Sequence, residues 1–405
     1  MMDQQLITAL EASERLGVSR ETLYAYVSRG MIRSDPEPGP GRRRRYNAED
    51  VQALLDRKAR GRGAEAVASQ AMNFGAPVLE SGLTLIDADR LLYRGKDACA
   101  LAAEASLEDV ARLLWSVDSD PFADAALPEI DETLKRGWVA SARLAPMDRC
   151  LAMLPLAAAQ DTRAWSRDSK ALAVTGTRVA RLLAAIVAAR SPSSMPLHRQ
   201  IATAWKLDEH GADLVRAALV LSADHELNAS TFAVRIAAST GATPWGATVA
   251  GLAVLQGPYH GGMTRRVASM MEALRGAEDL DRAVAERIES GARIPGFGHR
   301  LYPDGDVRAQ FLLERLSHRL GDREEVRYAR RLIAAASKVT GLKPTIDVAT
   351  VAIERACGMP KGAALGLFLL GRSIGWIAHF IEQTESGTLI RPRARYVGPE
   401  APAFS

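Results

Sequence analysis

Three of the seven histidines in this 405-residue chain stand in segments broken by glycine or by a helix end. His225 lies in SADHELNAST, His260 in LQGPYHGGMT and His299 in RIPGFGHRLY. Imidazole changes charge near neutrality, so it can donate, accept or pass on a proton there. Glycine beside it lets a backbone or a ligand come close. Cations accompany the rings. Arg308 follows His299 by nine residues, and Arg372 sits inside the apolar run AALGLFLLGRSIGWIAHFIEQ. An unpaired charge in such a run is expensive and calls for an anion. Asp347 follows a proline in KPTIDVATVAI and opens an apolar stretch. A carboxylate can take a proton from carbon, imidazoles can polarise carbonyl oxygens and guanidinium forks can grip carboxylates. That chemistry needs no metal, and none is expected.

Plainer roles exist for each residue. Asp347 would serve equally as a helix N-cap. Arg308 would serve as the partner of Asp304 or Asp306 on a surface. His379, seven residues after Arg372 on the same helix face, is expected to orient neighbours. His198, His210 and His318 are read as ordinary surface or core residues.

The elements that must position these groups read as helices. Hydrophobic residues make up 47%, charged residues 25% and aromatics only 5%, an ordinary globular composition weighted toward helix formers. SLEDVARLLW begins with a capping serine and early acids, and ALAVTGTRVARLLAAIVAAR is a long apolar-faced stretch stopped by Ser191-Pro192. ADLVRAALVLSADHELN, TPWGATVAGLAVLQG, DVRAQFLLERLSHRLG and TIDVATVAIERACG follow the same habit. The most apolar run, residues 363–383, is expected to be a core helix and not a membrane span, because Arg372 and His379 interrupt it. Three scattered cysteines give no disulfide framework, and the N-terminus lacks an apolar leader, which together predict a cytoplasmic protein.

The first 60 residues differ. Residues 1–63 carry 12 Lys/Arg and 9 Asp/Glu, so most of the chain's net +4 lies there. TALEASERLG ends a helix at Gly17, Ser19 caps RETLYAYVSRG, and MIRS and RRRRYN flank the loop DPEPGPG as a potential basic wing. Asn47 precedes AEDVQALLDRK with Asp50 three residues on, a capping-box-like start. This resembles the winged helix-turn-helix of the MerR type over roughly residues 4–58. The resemblance implies that Arg20, Thr22 and Tyr24 face a DNA major groove while Arg42, Arg43, Arg44 and Arg45 meet phosphates.

The remaining motifs, ADHELNAST, GPYHGG, GFGHRLY with DVRA, PTID, GRSIGWIAH and RPRARYVG, resemble those of the citrate synthase family in order and spacing, over roughly residues 70–400. LLYRGKDACALAAEASLEDVARLLW is similar to the family's N-terminal region. A helix-turn-helix ahead of such a body also resembles a known bacterial subgroup. The resemblance implies a mainly α fold: a module at 1–60, a linker at 61–74, a large domain of 75–258 and 366–405, and a small domain of 259–365 that closes over substrate. It implies Asp347 as base, His260 as donor to the thioester oxygen and His299 as the group polarising the keto carbonyl. His225, Arg308 and Arg372 would bind oxaloacetate, and Arg391 would reach in from the second subunit of a homodimer. Coenzyme A thioester would be a substrate, with no tightly bound cofactor and no membrane partner.

The sequence departs from the family pattern after the acid, where Val348 and Ala349 replace aromatic residues, and after HGG, where Met263, Thr264, Arg265 and Arg266 stand. Three functions follow from the resemblance: citrate synthase; 2-methylcitrate synthase, using propionyl-CoA; or a metabolite-sensing, DNA-binding regulator with reduced or absent synthase activity.

Overall fold

The computed structural model describes residues 6–28, 31–37, 44–48, 50–52, 54, 79–87, 89–118, 120–122, 127–394 and 396–399. The chain forms two compact units, Met1–Glu80 and Ser81–Ser405. The expected linker at 61–74 lies outside the described residues.

In the first unit, strand β1 (Leu6–Ile7) leads into helix α1 (Ala9–Leu16), which Thr8 and Glu11 start with a reciprocal capping box. Helix α2 (Arg20–Ser28) follows, with the Ser19 hydroxyl accepting the Thr22 N–H at 3.3 Å. Strands β2 (Ser34–Pro36) and β3 (Arg44–Asn47) pair antiparallel, and β1 lies on the other side of β3. The wing therefore forms, but only Ser34 of MIRS joins it. Ile32 instead turns into the module's core with Ile7, Leu16, Leu23, Tyr46 and Val51. Only half of the expected capping box at Asn47 appears. The Asn47 side chain accepts the Asp50 N–H at 3.0 Å, whereas the Asp50 carboxylate takes the Arg33 guanidinium at 2.9 Å from both Nε and Nη2. A charge-assisted two-point contact outweighs a neutral backbone bond.

The second unit opens with a meander that the all-helical expectation did not include. Strands β4 (Thr84–Asp87), β5 (Arg90–Tyr93) and β6 (Lys96–Asp97) pair antiparallel in sequence order. Helices follow one another: α3 (Ala98–Glu104), α4 (Leu107–Trp115), α5 (Glu132–Ala140), α6 (Pro146–Ala158) and α7 (Ser169–Ala188). Next come α8 (Leu197–Ala204), α9 (Glu209–Ser222), α10 (Ala229–Ser239), α11 (Pro244–Leu255) and α12 (Met263–Ala273). The last are α13 (Leu280–Glu289), α14 (Val307–Leu320), α15 (Glu324–Thr340), α16 (Ile346–Ala356) and α17 (Ala363–Ser386).

Helix α17 is the axis of this body. It packs against α4, α7, α9, α10 and α11. Both α7 and α17 are long and apolar enough to cross a membrane, yet 89% and 100% of their apolar windows are covered by the rest of the body. Burial all round is why α17 carries apolar residues on every face. Where α17 meets the end of α9 there is no room for a side chain. A Cβ at Gly375 would lie 2.3 Å from the Ala223 carbonyl and 2.4 Å from the Asp224 carboxylate. The Gly375 N–H instead donates to that carbonyl at 3.0 Å. The glycine of GRSIG thus seats the segment carrying His225 directly on the core helix.

Candidate active site

Four helix ends converge on one buried cluster. His225 lies in the strap between α9 and α10, and its Nε2 is 3.1 Å from the Tyr302 hydroxyl. The His225 and His299 rings meet edge-on with centroids 5.2 Å apart. His299 Nδ1 accepts the Leu301 N–H at 3.2 Å. In a neutral imidazole this puts the proton on Nε2, where it can be given to a substrate oxygen.

His260 stands between α11 and α12. Its Nε2 is 2.8 Å from the Ser230 hydroxyl, which also reaches Asn228 Oδ1 at 2.7 Å and accepts the Trp376 indole N–H at 3.3 Å. One hydroxyl hydrogen has two claimants. Given to His260 Nε2, it leaves the proton on Nδ1 as the imidazole's outward donor.

All three rings are neutral at neutral pH. Burial pushes His260 down to about 4, helped by the Arg372 charge. His225 is driven well below the usual range by burial and by Arg308 and Arg372. His299 is lowered by burial and by Arg308. A neutral imidazole polarises a carbonyl as a hydrogen-bond donor without burying a second cation.

The two arginines differ in how far they are satisfied. Arg308 is buried, not on a surface, and its Nε and Nη2 donate to the two Asp306 oxygens at 2.9 and 2.8 Å. The pairing with Asp306 is therefore real, but it lies inside the site. Arg372 is 1% exposed. Its Nε donates to the Ser222 carbonyl at 2.9 Å and its guanidinium lies over the Phe368 ring at 4.8 Å. Its Nη2 is buried with no partner among the described residues. Burial brings it down to about 10, so it remains a cation at neutral pH, short of an acceptor. A buried cation in that position demands an anion.

Asp347 lies in the first turn of α16 and is half-buried. It is not the N-cap; Thr345 holds that position and donates its hydroxyl to Asp347 Oδ2 at 3.1 Å. Burial pushes the Asp347 carboxyl up to about 6, against the pull of Thr345 and Arg308. It is thus ionised at pH 7 yet more basic than an exposed carboxylate, the setting a general base requires.

Asp224, Ser230 and Tyr302 belong to the same cluster and were not singled out by the sequence. Asp224, fully buried, accepts the Thr84 hydroxyl at 2.6 Å and lies 3.3 Å from His379 Nε2. His379, expected to orient neighbours, is buried on α17 at this contact. The Tyr93 hydroxyl is 3.1 Å from the Val220 carbonyl and 3.2 Å from that of Asp224, so the β-meander braces the strap. An acid directly before His225 and a serine two residues after an N-capping asparagine were the available signals.

Other expected residues fall outside the cluster. Arg391 is exposed on the extended segment after α17. Val348 and Ala349 are buried, and Val348 packs against the turn at Gly296, where a Cβ would lie 2.7 Å from its methyl group. Thr264 is buried and Arg265 exposed. In the first unit, Arg20 and Tyr24 are exposed and Thr22 is half-buried. Arg44 Nη2 donates to the Ser34 carbonyl at 3.1 Å, and Arg45 pairs with Glu37 at 2.9 Å. Arg42 and Arg43 lie outside the described residues.

The citrate synthase C-terminal domain family matches residues 72–393, and a helix-turn-helix domain family matches residues 6–59. The chain is 31% identical over 365 residues to the citrate synthase of Haloferax volcanii, covering 80% of this chain and 94% of that one. It is 28% identical over 359 residues to citrate synthase 2 of Bacillus subtilis, covering 82% and 96%. The crystal structure of citrate synthase from Thermotoga maritima superposes with a TM-score of 0.69 at 27% identity, covering 82% of this chain and 96% of that one. A mainly helical body of this fold, with neutral imidazoles and a raised carboxyl around a buried cation, is an acyltransferase that turns an acyl group into an alkyl group on transfer. The chain belongs to the citrate synthase family and carries a helix-turn-helix module ahead of its family domain.

Proposed function

We propose that this protein joins acetyl-CoA to oxaloacetate and hydrolyses the resulting thioester, releasing citrate and coenzyme A. The single observation that carries this reading is the buried Arg372 guanidinium with its unpartnered Nη2 in the same cluster as three neutral imidazoles. The two carboxylates of oxaloacetate supply the missing acceptors, with Arg308 and His225 holding the other side.

Asp347 takes a proton from the acetyl methyl group while His260 Nδ1–H donates to the thioester oxygen, so the charge that develops becomes an enol. The enol carbon attacks the keto carbon. His299 Nε2–H passes its proton to the keto oxygen as that bond becomes single. Water then cleaves the citryl thioester. Closure of residues 259–365 over the large domain excludes water until the carbon–carbon bond has formed. In a homodimer, Arg391 of each chain reaches the other chain's oxaloacetate. The reading is tested by thiol release on mixing the protein with acetyl-CoA and oxaloacetate; absence of thiol release overturns it.

The valine and alanine after Asp347, smaller than the aromatics expected there, favour a second substrate, propionyl-CoA. One methylene is worth only about 1–3 kcal/mol in an apolar pocket, so the ratio of the two kcat/KM values decides between them. Residues 1–58 are read as a DNA-binding module, with exposed Arg20 and Tyr24 on α2 toward the groove.

A further inference from the structure

A neutral imidazole carries a single N–H, so the nitrogen that holds it decides where the ring can donate. For two rings of the site a neighbour makes that choice. The Leu301 N–H occupies His299 Nδ1, and the Ser230 hydroxyl lies on His260 Nε2. His225 is met by a phenol instead. Burial and the charges of Arg308 and Arg372 keep this ring neutral, and its Nε2 is 3.1 Å from the Tyr302 hydroxyl.

Tyr302 is buried and lies three residues after His299 in a tight turn. Its N–H donates to the His299 carbonyl at 3.1 Å, and its own carbonyl accepts the Gly305 N–H at 3.2 Å. Its ring centroid is 5.1 Å from that of His299, 5.6 Å from that of His225 and 5.5 Å from the Arg308 guanidinium carbon. Phenylalanine would fill the same space, so packing does not account for the hydroxyl. Burial pushes Tyr302 up to about 12, and the phenol keeps its hydrogen at neutral pH. Among the described residues, His225 Nε2 is the one hydrogen-bond partner of that hydroxyl. A buried hydroxyl hydrogen without an acceptor is costly, whereas a second lone pair on oxygen often goes unused. The hydroxyl therefore donates to Nε2, which leaves the His225 proton on Nδ1.

We propose that Tyr302 is a positioning residue for the condensation, its hydroxyl holding His225 in the tautomer that presents Nδ1–H to oxaloacetate. This rests on the reading of His225 as a ligand of that substrate. Without the hydroxyl the imidazole proton is free to sit on Nε2. Nδ1 then turns from donor to acceptor, and a substrate oxygen meets a lone pair where it needs a hydrogen. Tyr302 moves no proton in the reaction; Asp347 and His299 do that. Its loss therefore acts on oxaloacetate binding and leaves the chemical step in place. The turn that carries His299 also carries the phenol, so one short segment positions two of the three rings.

Two measurements on the full-length protein test this. The first is the nitrogen-15 spectrum of histidine-labelled, substrate-free protein, with the His225 signals assigned by their loss in His225→Gln. The wild type should show Nδ1 protonated and Nε2 as an acceptor, and Tyr302→Phe should shift the proton toward Nε2 or average the two forms. The second is oxaloacetate affinity, by calorimetry, across a double-mutant cycle. Tyr302→Phe should weaken oxaloacetate roughly tenfold, near the most that one neutral hydrogen bond contributes, and raise its KM with kcat nearly unchanged. The same change should have no effect once His225 is alanine, because the phenol then has nothing to hold. The proposal is overturned by a wild-type His225 protonated on Nε2, by identical spectra in Tyr302→Phe, or by an equal loss of affinity in the His225→Ala background, which would make the phenol a packing group. Absence of oxaloacetate binding by the wild type overturns the proposed function and this proposal with it, whereas binding with an unchanged tautomer overturns this proposal alone.

Discussion

Asp306 ties Arg308 to the start of the base's helix: one carboxylate accepts two bonds from the Arg308 guanidinium and the Ile346 N–H at 2.9 Å. Ile346 directly precedes Asp347, so the cation proposed to hold substrate and the proposed base share one buried anchor. Burial raises the Asp306 carboxyl, but Arg308 and the Ile346 N–H outweigh it and keep it ionised. Misplacement of this anchor moves both groups at once.

Asp347→Asn keeps the shape and removes the base. Loss of a general base typically lowers rate about 10²–10⁴-fold. The same change should raise stability at pH 7. The folded carboxyl titrates near 6, above its unfolded value, so its ionised form is disfavoured by folding. That penalty is full above about pH 6 and gone below about pH 4, and its removal gains on the order of 1–3 kcal/mol. Thermal unfolding of both proteins at pH 7.5 and pH 4 checks the sign; a less stable variant at pH 7.5 refutes it.

The wild-type pH profile follows from the same group. With the base needed ionised, kcat/KM for acetyl-CoA should fall about tenfold per unit as pH drops below about 6. A profile flat down to pH 4.5 would remove Asp347 from the proton transfer.

Arg372→Leu should weaken oxaloacetate by roughly 1.5–3 kcal/mol per lost contact, about 10–150-fold. The fold should tolerate it, because leucine suits α17 and the change removes a buried, under-satisfied cation. Unchanged oxaloacetate affinity by direct binding would make Arg372 structural.

Ser230→Ala takes away the hydroxyl between His260 and Trp376. If that hydroxyl fixes the His260 tautomer, kcat should drop about 10–100-fold with little change in the KM for oxaloacetate. A rise confined to that KM would instead place Ser230 on the oxaloacetate side.

Replacing Arg42, Arg43, Arg44 and Arg45 with glutamine should flatten the salt dependence of DNA binding. The slope is about −0.9 per phosphate neutralised. Arg45 must leave Glu37 before meeting a phosphate, so a change of about 3 units, not 4, is expected. Fluorescence anisotropy against genomic fragments at two salt concentrations reads it; equal slopes would free the run of that role.

The sequence by itself determined which segments are helices and which residue types stand at their ends. Ser106 and Asp109 cap α4 by a rule confined to four neighbouring residues, and the apolar composition of α17 already demanded burial. The motifs' resemblance to the family is what grouped His225, His260, His299, Asp347, Arg308 and Arg372 as one expected set. What the tertiary structure decided is how those groups are charged and held. His379 meets Asp224 across 155 positions of chain, and His225 meets Tyr302 across 77. The neutral state of the imidazoles, the raised Asp347 carboxyl and the unpartnered Arg372 nitrogen all come from burial among such distant partners. Local spacing encodes a helix because its hydrogen bonds close within four residues. It does not encode desolvation, which depends on whatever the rest of the chain brings to the same place.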